Sequence, residues 1–221
     1  MSQNQYKNIP IRDSHMHVWR EMPMEDTVAF HSWVMEEFGY ETISVMSICE
    51  QKPEPTRAIM QNLKTMYLKK MLSPRVYAYA GLHFQGLTPE DDGTYFLEQA
   101  KYYNACGYDG IKMFYPLSMY LQGYPFIRLS DPRFEKFFGY MEDMGMPINI
   151  HLGGPEVCFG DINEIPESQR KWHIGDCPVH LFDMFADFTG MMDKFPKLKI
   201  MVAHFAFITW HMDWAEEWLA K

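Results

Sequence analysis

The spacing of hydrophobic residues along this chain alternates between the pattern of a strand and the pattern of a helix. Short, mostly apolar runs are typical of strands buried on both faces, and they alternate with longer runs of helical periodicity. A glycine stop at Gly39 and an aspartate N-cap at Asp131, followed by Pro132, mark helix boundaries. The predicted strands are 11–19, 42–49, 75–84, 110–114, 147–154 and 197–205.

Each predicted strand is followed by a predicted helix, and such units indicate a parallel sheet with helices outside it. Two architectures have this order, the open doubly wound sheet and the closed (β/α)8 barrel. A doubly wound nucleotide-binding sheet would carry a glycine-rich turn after its first strand, whereas the sequence there is VWREMPMED. We therefore favour the barrel, an α/β fold. Because no repeat or linker is evident, we expect residues 1–221 to form a single domain.

The composition narrows the possible partners. The chain has 20 Lys and Arg against 29 Asp and Glu, and its net charge of −9 argues against nucleic-acid or anionic membrane surfaces. No stretch resembles a membrane span, and the polar start MSQNQYKNIP predicts no signal segment. The cysteines are far apart in sequence, so we expect reduced thiols in a cytoplasmic protein. They are Cys49, Cys106, Cys158 and Cys177.

The first predicted strand contains DSHMH, in which polar residues occupy alternate positions. Side chains alternate between the two faces of a strand, so Asp13, His15 and His17 are predicted to share one face. His151 and His204 lie at the ends of predicted strands five and six, and in a barrel such ends meet at one mouth. Imidazole nitrogens and carboxylate oxygens bind divalent metals such as zinc, so the pattern predicts a metal site.

The motifs DSHMHVW, GIKMF, LSDPRFEKFFGYMEDMGMPINIHLG and FPKLKIMVAHF together resemble the amidohydrolase superfamily. The resemblance extends from Arg12 to His204 and points to the branch that includes aminocarboxymuconate-semialdehyde decarboxylase and related decarboxylases and hydrolases. It implies a (β/α)8 TIM barrel of metal-dependent hydrolase type, of which about six β/α units are present. It also implies one divalent metal ion, for which we expect zinc, with manganese as the alternative.

The resemblance further implies residue roles. In that branch the metal is held by the strand-one histidines, a strand-five histidine and a strand-eight aspartate, and a strand-six histidine orients or deprotonates the metal-bound water. Carried over, His15, His17 and His151 are ligands, His204 is the catalytic acid/base, and Asp13 holds the strand-one histidines by hydrogen bonds. The same ligands serve a hydrolase and a decarboxylase, so both activities stay open. The expected substrate is a small carboxylated or ring-containing metabolite, and the expected assembly is a homodimer.

Three further residues are candidate substrate contacts. Lys112, placed at the end of strand four, is an anion-binding or structural lysine or, as in some two-metal members of the superfamily, a carbamylated bridge. His83 either contacts substrate or forms part of the pocket wall. Arg128 either binds a substrate carboxylate bidentately or forms a surface salt bridge. The long loop 153–178 is a candidate lid. Four aromatic residues of the loop before Arg128 either line an aromatic pocket or only pack that loop, namely Tyr115, Tyr120, Tyr124 and Phe126.

The sequence departs from the family pattern in two places. Related proteins usually carry glycines just after the strand-six histidine, whereas HFAFITW predicts a bulkier surface beside His204. The sequence also stops at Lys221, so strands seven and eight and the aspartate ligand, roughly 50–70 residues of a typical barrel, are expected to be missing. We therefore expect either a truncated enzyme or a non-catalytic binding domain. A phosphate-binding barrel would need glycine-rich loops after late strands, and the sequence has none there.

Overall fold

The computed structural model describes residues 9–19, 21–47, 56–115, 127–174 and 180–220, and within them strands and helices alternate. The strands are β1 (Ile11–His17), β2 (Tyr40–Met46), β3 (Val76–Gly81), β4 (Gly110–Tyr115), β5 (Ile148–Leu152) and β6 (Ile200–Val202). The helices are α1 (Met24–Phe38), α2 (Thr56–Leu72), α3 (Thr94–Ala105), α4 (Pro132–Asp143), α5 (Leu181–Lys194) and α6 (Met212–Leu219). Short 3-10 turns occupy Glu156–Phe159 and Glu167–Trp172, and a turn of a different kind occupies Ala203–Phe207.

The strands form one six-stranded sheet in sequence order, β1-β2-β3-β4-β5-β6. The pairs β1–β2, β2–β3, β3–β4 and β5–β6 are parallel. Every residue of β4 is buried, as expected for a strand covered on both faces. The β1–β2 register shifts between Asp13 and Met16, so β1 is irregular where its histidines begin.

The chain divides into two compact units, and the first comprises residues 1–85 and 103–112. Its helix α1 ends at Gly39, which has a left-handed φ of 72° and donates its N–H to the carbonyl of Met35. Its apolar core draws on the strands and on helices α1 and α2, as the alternating sequence pattern predicts. The core residues are Val18, Met35, Ile43, Val45, Leu68 and Val76.

The second unit comprises residues 86–102 and 113–221, and its core is rich in aromatic rings. Phe96 of α3 stacks on Phe134 of α4 with the ring centroids 4.5 Å apart. Helix α5 packs Phe188 against Trp218 of α6 at 5.1 Å. Helix α4 buries an apolar face at the helical spacing that its sequence predicts. The residues of that face are Phe134, Phe137, Phe138 and Met141.

The predicted order of elements is confirmed, and the differences lie at element ends. Lys112 does not end β4, because the strand continues to Tyr115. His83 lies beyond β3, which ends at Gly81, and His204 lies beyond β6, which ends at Val202. These shorter strands place both histidines on the segments that follow the sheet. The single-domain organisation stays a prediction.

Candidate active site

Two imidazole nitrogens converge at the carboxyl end of β1. His15 Nε2 and His17 Nε2 lie 3.0 Å apart, and the rings meet edge-on with centroids 4.7 Å apart. Their proximity agrees with the predicted shared face of the strand. Nitrogens that bind one zinc ion tetrahedrally at about 2.0–2.1 Å lie about 3.3 Å apart. The separation of the two nitrogens is therefore close to that of two ligands of one ion.

A main-chain contact sets the tautomer of His17. Its Nδ1 lies 3.3 Å from the carbonyl oxygen of Met46, at the end of β2. A carbonyl can only accept a hydrogen bond, so Nδ1 carries the proton and, in the neutral ring, Nε2 presents its lone pair. Metal-binding histidines commonly donate their other N–H to a carbonyl in this way. The donor chemistry of the pair therefore fits a divalent cation.

Lys112 and Asp13 complete the surroundings of His15. The Nζ atom of Lys112 lies 3.3 Å from His15 Nε2, and the lysine side chain is fully buried. This contact makes Lys112 part of the histidine cluster of the first unit. The Asp13 carboxylate accepts the peptide N–H of His15 at 2.8 Å. The hydrogen bond expected from Asp13 is therefore made to the main chain of His15.

Lys64 on α2 holds the chain that follows β1. Its amine donates to the carbonyl oxygens of Trp19 at 3.0 Å and Met22 at 2.5 Å, and burial lowers the pKa of Lys64. These carbonyls belong to the loop that leads from the histidine strand into α1, so Lys64 fixes the start of that loop. His83 belongs to the same unit, and burial lowers the pKa of its imidazole, which favours the neutral ring.

The second unit brings the other two predicted histidines together. The ring centroids of His151 on β5 and His204 lie 4.9 Å apart with an interplanar angle of 74°. Phe114 stacks on His151 at 5.4 Å, and Phe207 contacts His151 at 5.7 Å and His204 at 5.2 Å. The imidazole pair predicted from the ends of strands five and six is thus in direct ring contact, with aromatic side chains around it.

The chain after β6 makes a left-handed turn that the sequence does not predict. From His204 to Phe207 every residue has a positive φ, between 50° and 58°, and none of them is glycine. Non-glycine residues adopt this region singly and seldom in succession. Gly153, with a φ of 77°, lies against the turn, because a Cβ there would be 3.2 Å from the carbonyl oxygen of Ala206. The turn and the end of β5 are therefore fitted to each other.

A buried carboxylate on α5 holds the end of β4 and the segment that precedes α4. Asp187 accepts the Tyr115 hydroxyl at 2.6 Å and the peptide N–H groups of Leu129 at 2.6 Å and Ser130 at 3.2 Å. Burial and the hydrogen bond to Asp187 raise the pKa of Tyr115 well above its ordinary range. Arg128 is exposed and directly precedes the two anchored peptide groups. Its main chain is therefore positioned by Asp187.

Sequence reasoning identified the histidines but missed Asp187, Lys64 and Phe207. The sequence could have indicated Asp187, because a carboxylate beside the apolar face of a helix is expected to be buried and then needs hydrogen-bond donors. Lys64 and Phe207 gave no such signal, because their partners are main-chain carbonyls and rings that only the fold brings near. The apolar face of α5 consists of Leu181, Met184, Phe185, Phe188 and Met191.

Several sequence-based candidates lie outside the described residues, namely Tyr120, Tyr124, Phe126, Cys49 and Cys177. The candidate lid contains two short 3-10 turns, and its residues 175–178 also lie outside the described residues. The other two cysteines are free thiols, Cys106 exposed and Cys158 buried, and burial raises the pKa of Cys158. In the ranges that the structure describes, no three His, Cys, Asp or Glu side chains form a ready metal-binding cluster.

The alternating strands and helices define a protein of β/α class, and comparison with known families gives its family. A family model described as Amidohydrolase matches residues 13–220. The chain belongs to the amidohydrolase family, as its motifs indicated. A comparison with curated proteins found no significant match.

Three solved structures are similar to this chain to different degrees. The 4-oxalomesaconate hydratase LigJ of Rhodopseudomonas palustris has a TM-score of 0.63 at 14% identity, over 95% of this chain and 68% of that chain. A dihydroorotase of Saccharomyces cerevisiae, solved with 5-fluoroorotic acid, has a TM-score of 0.49 at 19% identity, over 87% of this chain and 47% of that chain. A probable 2-pyrone-4,6-dicarboxylic acid hydrolase of Acinetobacter baumannii, solved with citric acid, has a TM-score of 0.44 at 14% identity, over 95% of this chain and 77% of that chain.

The likeness to LigJ confirms the predicted fold class, an α/β fold with six β/α units of amidohydrolase barrel type. At 14% identity this likeness concerns the fold and not the reaction. The chain spans less than half the length of the dihydroorotase. Within the described ranges, every helix is too short or too polar to cross a membrane.

Proposed function

We propose that this protein is a metal-dependent hydrolase acting on a small carboxylated or ring-containing metabolite. The convergence of His15 Nε2 and His17 Nε2, with the tautomer of His17 set by Met46, carries the proposal. Family membership over residues 13–220 supports an enzyme of this kind. The proposed ligands of one divalent cation, zinc first and manganese second, are His15, His17 and His151.

His204 is the proposed acid/base. Its side chain is exposed, so it can exchange protons with water or substrate, while its ring is held against His151. A divalent cation bound by the ligand histidines would lower the pKa of a coordinated water and supply hydroxide near neutral pH. Imidazole, with an ordinary pKa of about 6.5, can accept a proton at that pH and return it to a leaving group.

The proposed substrate contacts are basic or aromatic side chains. The guanidinium of Arg128 can bind a carboxylate through two parallel hydrogen bonds, and Asp187 fixes the peptide groups that follow it. Lys112 and His83 are the proposed contacts in the first unit. The proposed partner is thus a small molecule and not a nucleic acid or membrane, and the proposed assembly is a homodimer.

Metal content tests the ligand assignment. The purified protein should hold about one divalent ion per chain, and His15→Ala or His151→Ala should lower the occupancy sharply because each removes a ligand. His204→Ala should keep most of the metal. His180→Ala, an exposed histidine at the start of α5, is the matched control and should match the wild type. Elemental analysis decides the matter, and full metal content in His15→Ala would contradict the proposal.

The reaction is tested with a pair of substrates. A lactone that carries a ring carboxylate should be hydrolysed faster than the same lactone without it, and His204→Ala should abolish turnover of both. Arg128→Lys keeps the charge but loses the bidentate geometry, so it should raise KM for the carboxylated lactone alone. Release of carbon dioxide from aromatic acids, without lactone hydrolysis, would indicate a decarboxylase instead.

A further inference from the structure

Phe207 contacts both functional histidines of the second unit. Its ring centroid lies 5.2 Å from that of His204 and 5.7 Å from that of His151, and the two imidazoles are 4.9 Å apart. The three rings therefore form a closed triangle of contacts. An imidazole packed in this way loses freedom to rotate, and its rotation decides where each ring nitrogen points.

The left-handed turn explains how Phe207 reaches this position. Phe207 is the last of the four residues with positive φ, and its own φ is 58°. A bulky residue is strained in this region and stays there only when its surroundings hold it. Gly153 leaves room for the Ala206 carbonyl, so the end of β5 accommodates the turn. The turn folds Phe207 back onto His204, three residues earlier in the chain.

Phe205 provides an internal comparison in the same turn. It has the same left-handed backbone, with a φ of 53°, and is 43% exposed. Its ring lines an apolar cavity of about 280 Å³ together with Phe188 and Val202. In the part of the chain that the structure describes, Phe205 makes no ring contact with His151 or His204. The two phenylalanines therefore share the strained backbone but differ in their contact with the histidines.

We propose that Phe207 is a positioning residue that fixes the imidazoles of His151 and His204 relative to each other. This inference rests on the proposed function, in which His151 binds a cation and His204 moves a proton. It assigns to Phe207 no contact with substrate. Phe207→Leu keeps an apolar side chain but removes the flat ring, so it should free the His204 imidazole to turn away from His151, which Phe114 still holds. Phe207→Tyr keeps the ring and should preserve their arrangement.

The first measurement uses the cation-free full chain with labelled histidine. The nuclear Overhauser effect between the ring protons of His151 and His204 should be present in the wild type, Phe205→Leu and Phe207→Tyr. It should be lost in Phe207→Leu. If Phe207→Leu does not fold, Phe207→Met serves as the second non-aromatic variant. Absence of the effect in the wild type, its persistence in Phe207→Leu, or its equal loss in Phe205→Leu would overturn the inference.

The second measurement uses Co²⁺ as a probe whose visible absorption reports ligand geometry. Phe207→Leu should change the spectrum and weaken Co²⁺ binding about 10- to 100-fold, the range typical when a residue that orients a metal ligand is lost. Phe205→Leu should change neither. A wild type that shows the ring proximity but binds no Co²⁺ would refute the proposed function and leave the positioning role intact, so the two failures are distinguishable.

Discussion

At the scale of residues, conformational cost is concentrated in the turn after β6. A left-handed conformation costs a non-glycine residue roughly 1–2 kcal/mol, and His204 to Phe207 all adopt it. Packing must offset this cost, and Ala206 in the turn and Ile208 after it are buried almost completely. Gly153 is part of the same arrangement, because it leaves space for the Ala206 carbonyl.

Replacement of Gly153 tests this arrangement. Gly153→Ala should lower the free energy of unfolding by about 1–3 kcal/mol, because the residue has a positive φ and the new Cβ would press on the Ala206 carbonyl. Gly190→Ala is the matched control. Gly190 lies in α5 with no atom within 4 Å of an added Cβ, so the change should stabilise the protein by about 0.5–1 kcal/mol. Urea unfolding of both variants measures the difference, and an unchanged Gly153→Ala would contradict the packing described.

At the scale of elements, the start of α4 combines a cap with an ion pair. The Asp131 carboxylate accepts the peptide N–H of Arg133 at 2.9 Å and pairs with its guanidinium at 2.8 Å. Pro132 occupies the first helical position, where no peptide N–H is needed. The Arg133 guanidinium, aided by its peptide N–H, holds the pKa of Asp131 below its ordinary value. This element start therefore depends on an ionised carboxylate.

Acid titration should reveal the Asp131 contribution. Because the pKa of Asp131 is lower in the folded chain than the unfolded value of about 3.9, its stabilisation is present above that pH and is lost as pH falls through the folded value. Asp131→Asn keeps a capping oxygen but no charge, so its deficit against the wild type should shrink below about pH 4. Asp131→Ala also loses the cap and should cost about 1 kcal/mol at neutral pH. Thermal unfolding from pH 7 to 3 checks both, and a pH-independent deficit in Asp131→Asn would exclude the ion pair.

The α4 start also shows which elements sequence can predict. Its cap can be predicted from sequence because the signal lies within three consecutive residues. The shared face of His15 and His17 can be predicted because the alternation of side chains along a strand is local. The turn that carries His204 was not, since its residues have no local preference for positive φ and only tertiary contacts impose it. Asp187 could be recognised as a buried charge, but its donors lie 57 to 72 positions away.

At the scale of the whole molecule, the histidines are divided between two compact units. His15 and His17 belong to the first unit, and His151 and His204 to the second. The proposed ligands of the cation are His15, His17 and His151. A ligand that binds only the native state stabilises it by an amount that rises with the logarithm of the ligand concentration relative to the dissociation constant. Cation binding should therefore stabilise the strands that carry the proposed ligands.

Hydrogen–deuterium exchange with and without Zn²⁺ tests this coupling. Saturating Zn²⁺ should slow exchange in peptides from β1 of the first unit and from β5 of the second, because both strands carry proposed ligands. His15→Ala should remove the protection from both peptides, whereas His180→Ala should leave it unchanged. Protection confined to β1 would show that His151 is not a ligand of the same ion.

The contacts of Asp187 also bear on the order in which the chain assembles. They join positions 57, 58 and 72 residues apart, and contacts across such separations form slowly because long loops must close first. Until the Tyr115 hydroxyl and the Leu129 and Ser130 peptides arrive, the carboxylate keeps its water, since burying an unpaired charge is costly. Helix α5 can therefore form early but dock late. The helix therefore completes its packing only after Tyr115 and the peptide groups of Leu129 and Ser130 have reached their native positions.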